Sequence, residues 1–229
     1  YADVYSISPK EVAFYIQDKM EFDDMVINVG VRYDQFDPES VYPSDRRNPA
    51  NQLILPDSMM SLYPQAPVIS QISPRVGFAY QLGGQAVLHF SYGHFFQMPP
   101  MYAMYENNSF LVDPNNFVTR MGNTLLEPEK TITYEIGLWQ ELNQIMALDV
   151  ALFYRDIYNL LTTKTISTYN QVKYGLYSNK DYGNVRGLEL KLDLAMGQLK
   201  GMVNYTLQYT RGNADSPGQT FDRAGNNQD

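Results

Sequence analysis

The stretch from Ser73 to Pro100, SPRVGFAYQLGGQAVLHFSYGHFFQMPP, decides the fold. Two runs of about ten residues flank Gly83-Gly84, and in each run apolar and polar side chains alternate strictly. The apolar positions are Val76, Phe78, Tyr80 and Leu82 in the first run and Leu88, Phe90 and Tyr92 in the second. Such alternation is typical of a strand with one apolar and one polar face, and a tilted strand needs about 9–11 residues to cross a bilayer. The stretch therefore predicts a hairpin that can span a membrane.

The length of the turn in this hairpin follows from parity. Apolar positions carry even numbers on both strands, and directly opposed residues share a face of the sheet. The loop must then be odd, so the sequence predicts the three-residue turn Gly83-Gly84-Gln85 with one glycine at positive φ.

A second hairpin is predicted between Glu11 and Asp34, where the same alternation occurs. A two-residue turn at Asp23-Asp24 keeps every apolar residue on one side. Phe14 then faces Tyr33 and Ile16 faces Val31, while the polar side pairs Tyr15 with Arg32 and Lys19 with Asn28.

Two further hairpins run from Thr131 to Asp156 and from Val185 to Tyr209. The first needs an odd loop, and three or five residues both fit; the five-residue choice sets Glu135 opposite Arg155. The second needs an even loop. Four residues, 195–198, are preferred because they set Asp193 against Lys200, and opposite charges across a strand pair are stabilising.

The segments between the hairpins are long, polar and rich in Pro, Asn, Asp, Ser and Tyr: 35–72, 96–130, about 157–181, and from about 210 onward. Short turns on one side and long loops on the other are typical of an outer-membrane barrel, whose short turns face the periplasm. The predicted fold is all-β, an antiparallel transmembrane β-barrel meander of about eight strands with long extracellular loops. The hairpins, at about 11–34, 74–95, 131–156 and 184–210, are expected to belong to one barrel domain over residues 1–229.

Composition limits the classes of function. The chain has 25 acidic and 17 basic residues, which argues against a nucleic-acid partner because phosphates require a basic face. Nineteen tyrosines and eleven phenylalanines favour a membrane barrel with aromatic girdles. No apolar run approaches the roughly 18 residues of a membrane helix, and the absence of cysteine excludes disulfides and cysteine-ligated metals.

Several motifs resemble one family in order along the chain. They are YIQD at 15–18, NVGVRYD at 28–34, SPRVGF at 73–78, SYGHFF at 91–96, LEPEKT at 126–131 followed by YEIG at 134–137, and NVRGLE at 184–189. Together they resemble the barrel of TonB-dependent outer-membrane receptors, in particular the Oar-like and SusC-like branch that carries carboxypeptidase-regulatory-like domains. This resemblance implies a Gram-negative outer membrane and a 22-stranded, plugged barrel.

The resemblance also implies a function and a set of partners. The expected function is energy-coupled uptake of a scarce nutrient, a glycan, peptide or metal chelate, by binding and gating without covalent chemistry. The expected partners are outer-membrane lipid, TonB acting through a plug, a surface lipoprotein and the nutrient. Because this chain stops within a loop at Asn227-Gln228-Asp229, we expect it to be a barrel segment without the plug, the TonB-contacting segment, the remaining strands and the signal peptide.

No nucleophile motif, phosphate loop or metal-ligand motif is present, so the sequence predicts no catalytic residue, cofactor or resident metal. The predicted lumen-facing residues are polar members of the alternating runs: Arg32, Arg75, His89, Glu135, Arg155, Glu189, Lys191, Asp193, Lys200 and Asn204. Because binding groups are carried on loops over rigid scaffolds, candidate solute contacts lie in the second long loop: Phe95, Phe96, Tyr102, Tyr105, Glu106, Asn107 and Asn108.

Three alternatives remain open from the sequence. Met98, Met101 and Met104 recur every third residue, and thioethers can hold soft copper, although methionines at a loop base also pack well in irregular cores. The chain could belong to a structural, adhesive or protein-exporting outer-membrane barrel. A soluble β-rich carbohydrate-binding module is the remaining alternative, and it would bury both faces of its sheet.

Overall fold

The computed structural model describes residues 6–114 and 119–212, without the side chain of Asp181. Eight long strands form an antiparallel meander: β1 (Lys10–Glu21), β2 (Met25–Asp37), β3 (Ile69–Leu82), β4 (Ala86–Gln97), β6 (Glu129–Asn143), β7 (Met146–Ser167), β8 (Lys173–Met196) and β9 (Leu199–Gly212). The two-residue strand β5 (Arg120–Met121) pairs with β8 in parallel. A 3₁₀ turn at Asp57–Met59 and the helix α1 (Met101–Tyr105) lie in the long connections. The predicted all-β meander is confirmed.

Two of the four short turns have the predicted register. Phe14 faces Tyr33 and Tyr15 faces Arg32 across the turn at Asp23-Asp24. Leu82 pairs with Ala86 across Gly83-Gly84-Gln85, and Gly83 has a φ of 60°. Positive φ is easily accessible to glycine, which explains why the chain reverses at this point.

The other two turns correct the predictions. Asn143 pairs with Met146 across a two-residue turn, and a bulge between Glu141 and Asn143 supplies the odd residue that parity demands. Glu135 therefore faces Phe153, and the pairing of Glu135 with Arg155 is wrong. The β8–β9 loop is even, but it has two residues, Gly197 and Gln198, instead of four.

The four-residue turn fails because backbone conformation outweighs a surface charge pair. Gly197 takes a φ of 62° and forms the turn itself. Asp193 then faces Met202, and Lys200 faces Ala195. Lys191 lies beside Asp193 on the same strand, with its Nζ 2.8 Å from Oδ2 of Asp193. Asp193 therefore has a basic partner, although this partner is not the predicted Lys200.

A larger correction concerns the predicted third long loop at 157–181. Strands β7 and β8 remain paired from Tyr158 opposite Tyr182 to Ser167 opposite Lys173, which leaves only residues 168–172 as a loop. The segment is rich in threonine, tyrosine and isoleucine, which favour strands even where the sequence is polar. At about 3.3 Å per residue, the 22 residues of β7 span roughly 70 Å, more than twice the hydrocarbon thickness of about 30 Å.

The sheet has one apolar and one polar face. The apolar face carries large exposed side chains on every long strand, among them Phe14, Val31, Ile72, Phe90, Ile136, Leu152, Met196 and Leu207, and no second sheet covers it within the described ranges. This arrangement differs from the sandwich expected of a soluble module, which would bury both faces of its sheet. No helix of the described residues is long and apolar enough to cross a membrane.

The buried core lies at the end of the sheet where the long connections meet. Residues 38–68, 98–114, 119–128 and 160–180 pack together there and are called the loop assembly below. One cluster of buried side chains contains Phe36, Ala103, Met104, Tyr105, Leu126 and Tyr177. A second contains Phe110, Val112, Met121, Tyr174 and Leu176. The long connections therefore form a packed unit above the wall.

Candidate functional site

The polar face brings the predicted lumen-facing residues together. Directly opposed residues share a face, and the observed registers place Arg32, Arg75, His89, Glu135, Arg155, Glu189, Lys191, Asp193, Lys200 and Asn204 on the side opposite the apolar face. Their shared position follows from the strand alternation alone.

Several of these polar side chains have partners within the wall. Arg32 and the buried Asp34 form an ion pair of 2.8 Å along β2. His89 Nε2 lies 3.6 Å from Asp149 Oδ1, two strands away, because Gly137 between them has no side chain to block the imidazole. Arg75 lies over the Phe95 ring, with 4.8 Å from Cζ to the ring centroid. These contacts stiffen the wall and leave fewer charges available to a solute.

A groove of about 530 Å³ runs along the polar face of β1 to β4. Its floor contains Gly30, Gly77 and Gly93, where the absence of side chains makes room. Tyr15, Gln17, Arg32, Arg75 and Phe95 are among the side chains that line it. The groove combines two cations with aromatic rings, which can contact an anionic or aromatic group.

The loop assembly is held by hydrogen bonds between residues far apart in sequence. The Tyr174 hydroxyl donates to the Arg46 carbonyl at 2.6 Å, and the Tyr169 hydroxyl donates to Asp45 Oδ2 at 2.9 Å. The Arg47 guanidinium lies over the Tyr169 ring, 4.2 Å from its centroid. These contacts join the first long loop to the end of the β7–β8 hairpin.

Burial changes the electrostatics of this junction. It raises the pKa of Tyr174 to about 12 and lowers the pKa of Arg46. Arg46 donates from Nη2 to Asn123 Oδ1 at 3.0 Å, whereas its buried Nη1 makes no hydrogen bond with the described residues. The hydrogen bond to Asp45 raises the pKa of Tyr169. Sequence reasoning missed these residues, and the adjacent Asp45-Arg46-Arg47 triplet was the only local signal.

The second long loop divides the predicted solute contacts into buried and accessible residues. Tyr105 is buried and donates to the Pro38 carbonyl at 3.0 Å. Asn107 is buried, and its side-chain amide makes two hydrogen bonds with the backbone of Leu111. Its Nδ2 donates to the Leu111 carbonyl, and its Oδ1 accepts from the Leu111 N–H. These two side chains support the loop and present no open surface.

The accessible candidates lie around the same helix and at the end of β4. Tyr102 is exposed and packs edge-on against Tyr177, with ring centroids 5.8 Å apart. Phe95 is exposed and reaches the groove, while Phe96, Glu106 and Asn108 are half-buried. The accessible residues thus lie in two places, the groove and the base of the loop assembly.

The methionines of the copper hypothesis do not share one environment. Met104 is buried in the first cluster and Met98 packs against it, whereas Met101 is exposed on α1. Their positions are those of core and surface side chains in a loop base. Within the described residues, no group of three or more His, Asp or Glu side chains is arranged to hold a metal ion.

Comparison with known proteins identifies the family. The sequence matches the family described as TonB dependent receptor-like, beta-barrel, over residues 2–228. The chain belongs to this family. No curated protein matches the sequence. Receptors of the TonB-dependent family lie in the outer membrane of Gram-negative bacteria, so the sheet is part of a transmembrane wall whose short turns face the periplasm and whose loop assembly is extracellular.

Solved structures of TonB-dependent receptors share the fold at low identity. The FrpB iron transporter from Neisseria meningitidis matches with a TM-score of 0.62 and 16% identity, over 94% of this chain and 28% of that chain. The Serratia marcescens hemophore receptor HasR, solved with HasA and heme, matches with a TM-score of 0.64 and 18% identity, over 89% and 34%. The siderophore receptor PirA from Pseudomonas aeruginosa matches with a TM-score of 0.63 and 17% identity, over 88% and 34%. The chain therefore spans about a third of each of these receptors.

Proposed function

We propose that the chain is the wall and part of the solute entrance of a TonB-dependent transporter that takes up a scarce nutrient. The observation that carries the proposal is the loop assembly, which has its own buried core and stands directly above a polar face containing an open groove. A rigid entrance above a polar passage suits selection of a solute by loops on a scaffold. Energy would reach the passage from TonB through a plug, and no residue of this chain would act as a catalyst.

The proposed solute contacts are the accessible members of the predicted set. Tyr102 offers an exposed ring on α1, half-buried Glu106 and Asn108 follow just after this helix, and Phe95 lies lower, next to Arg75. Aromatic rings combined with amides and charges suit the stacking and hydrogen bonding of a glycan, a peptide or an aromatic metal chelate. Tyr105 and Asn107 would act indirectly by holding α1 in place.

The subtype and further partners are proposals on the sequence motifs. LEPEKT at 126–131 and YEIG at 134–137 favour the Oar-like and SusC-like branch, in which a surface lipoprotein would cover the loops. FrpB is described as an iron transporter, PirA as a siderophore receptor and HasR as a hemophore receptor, which favours a metal chelate for this chain as well. The solute panel for any test should therefore contain iron chelates, peptides and oligosaccharides.

The experiment is an uptake assay with the full-length protein in a strain that lacks its own copy. Wild type, Tyr102→Ala and the control Met101→Ala are compared for accumulation of each labelled solute, with and without a protonophore that removes the energy supply for TonB. We expect one solute to accumulate only in energised cells, Tyr102→Ala to weaken its binding about tenfold, and Met101→Ala to behave as wild type. Accumulation of no solute, or cell adhesion that persists after de-energisation, would support a structural or adhesive barrel instead.

A further inference from the structure

The apolar face contains an ordered row of aromatic residues close to the loop assembly. Tyr92, Tyr134, Tyr154, Arg186 and Tyr209 stand opposite one another on five neighbouring strands. The ring centroids of Tyr92 and Tyr134 are 5.0 Å apart, and those of Tyr134 and Tyr154 are 6.3 Å apart. A row of tyrosines on the lipid-facing side of a barrel, near its extracellular end, is typical of the boundary between hydrocarbon and headgroups. Arg186 is the one cation in a row that is otherwise tyrosine.

A second arginine joins Arg186 at the same tyrosine. The Cζ atoms of Arg186 and Arg211 lie 5.0 and 5.2 Å from the centroid of the Tyr209 ring. Arg211 also donates from Nε to the Tyr209 hydroxyl at 2.9 Å. Arg186 is exposed, and the ion pairs of the described residues do not include it. Two guanidinium groups are therefore held beside one ring on the outer surface of the wall.

The surrounding charges favour an anionic ligand at this place. Lys130 lies on the same face of β6, four residues nearer the loops than Tyr134 of the row, and opposite Tyr158 of β7. The acid on this part of the face is Asp156, whose Oδ1 accepts hydrogen bonds from Tyr182 and Asn184 at 3.1 Å each. Among the described residues around this row, the cations Arg186, Arg211 and Lys130 thus outnumber the acid Asp156.

We propose that Arg186, Arg211 and Tyr209 form a binding site for the phosphate group of a glycolipid in the outer leaflet. A cation on the lipid face costs about 2–4 kcal/mol at the bilayer centre but little near the interface, which is the height of the tyrosine row. Two forked guanidinium groups can each donate two hydrogen bonds to one phosphate. The ring of Tyr209 holds both groups in place by cation–π contact. The site depends on the orientation of the wall and not on the transported solute.

The test uses the full-length protein extracted from outer membranes in mild detergent. Native mass spectrometry then measures the fraction of protein that retains a diphosphorylated glycolipid. Each cation near an anionic lipid surface changes binding roughly fivefold, so Arg186→Gln combined with Arg211→Gln should retain about 25-fold less glycolipid. Lys200→Gln is the matched control, because Lys200 lies on the same strand, β9, but on the polar face, and it should retain as much as wild type.

Two further measurements keep the test decisive. Replacing both arginines with lysine keeps the charge but removes the forked hydrogen bonds, so it should restore part of the retention and thereby separate loss of the site from a folding defect. Nanodiscs of phosphatidylcholine containing lipid A, either diphosphorylated or dephosphorylated, identify the chemical group; wild type should enrich only the phosphorylated form. Equal retention by wild type and the double glutamine variant, or equal enrichment of both lipid A forms, would overturn the proposal. Solute uptake by the double variant should be unchanged, so the transport proposal stands or falls separately.

Discussion

The wall and the loop assembly place their apolar residues in opposite ways. In the wall, Ile16, Ile136 and Leu152 point outward and remain exposed on the protein. In the loop assembly, Met104, Met121 and Leu126 are completely enclosed by protein. The wall is stabilised by its hydrogen-bond ladder and by lipid, whereas the loop assembly folds as a small soluble protein does, by burying a core.

This difference predicts different responses to substitutions in the two regions. Added volume in the wall disturbs strand pairing across the sheet, so it endangers insertion of the whole barrel. Removing side-chain volume in the loop assembly leaves a local cavity, and the strand pairing of the wall should remain unchanged. The four predictions below follow from this contrast, in order of decreasing effect.

The largest effect is expected for Gly187→Ala in β8. A Cβ at this position would lie 2.5 Å from the Leu207 carbonyl oxygen and 2.5 Å from the Phe153 ring, so the β8–β9 ladder must separate. The free energy of unfolding should fall by about 3 kcal/mol or more, because a backbone atom cannot move aside as a side chain can. The yield of folded, heat-modifiable barrel measures this loss.

Gly84→Ala is the matched control for Gly187→Ala. No atom outside its chain neighbours lies within 4 Å of a Cβ at position 84, so its yield should equal that of wild type. A normal yield for Gly187→Ala would show that the two strands tolerate separation and that the wall is looser than its geometry indicates.

The second effect is a local one, from Met104→Ala in α1. Met104 is 1% exposed, and truncating a buried methionine costs about 2–5 kcal/mol. The loss should appear as faster hydrogen exchange and proteolysis of residues 98–128, with the folded-barrel yield unchanged. Met101→Ala on the same helix removes an exposed side chain and should change neither quantity. If Met104→Ala lowered the barrel yield, the loop assembly would be part of the folding unit of the wall.

The same contrast explains how much of the fold could be predicted from sequence. The wall pattern is local, because alternation along each strand fixes which residues share a face. The register of Tyr15 with Arg32 and the turn at Gly83 were therefore correct. The loop core is not local: Tyr174 bonds Arg46 from 128 positions away, and no period in the sequence connects them.

The failures had particular physical causes. The polar side chains of the β7–β8 extension predict a loop, whereas Thr162 and Tyr174 are buried within the loop assembly and not in lipid. The β8–β9 turn was assigned from a charge pair, Asp193 with Lys200, while Gly197 determined it through its backbone. Exposed ion pairs are worth about 0–1 kcal/mol, which is too little to choose a turn. The predicted solute contacts remain proposals. The structure separates them into buried and accessible residues, and the sequence alone contains no pattern that makes this separation.

The third effect concerns pH and Tyr174. Burial raises the pKa of this hydroxyl from its ordinary value of about 10 to about 12, so the folded loop assembly favours the neutral form. Its contribution to stability is complete below pH 10 and is lost as the pH rises from 10 toward 12. Tyr174→Phe should abolish this alkaline loss, and at neutral pH should cost about 1 kcal/mol for the hydrogen bond to Arg46. Exchange of residues 160–180 at several pH values measures both; an unchanged alkaline loss in the variant would assign it to another group.

The smallest effect is expected at the exposed ion pair between Lys10 and Glu39, where β1 meets the first long loop. Both side chains are exposed, so water and salt replace the contact when it is broken. Lys10→Gln should therefore leave the barrel yield and the exchange of residues 38–68 unchanged. This ion pair lies at the junction of the wall and the loop assembly. Pro38, the residue before Glu39, accepts a hydrogen bond from the buried Tyr105 of the loop assembly. If Lys10→Gln accelerated exchange as strongly as Met104→Ala, the loop assembly would depend on its attachment to the wall more than on its own core.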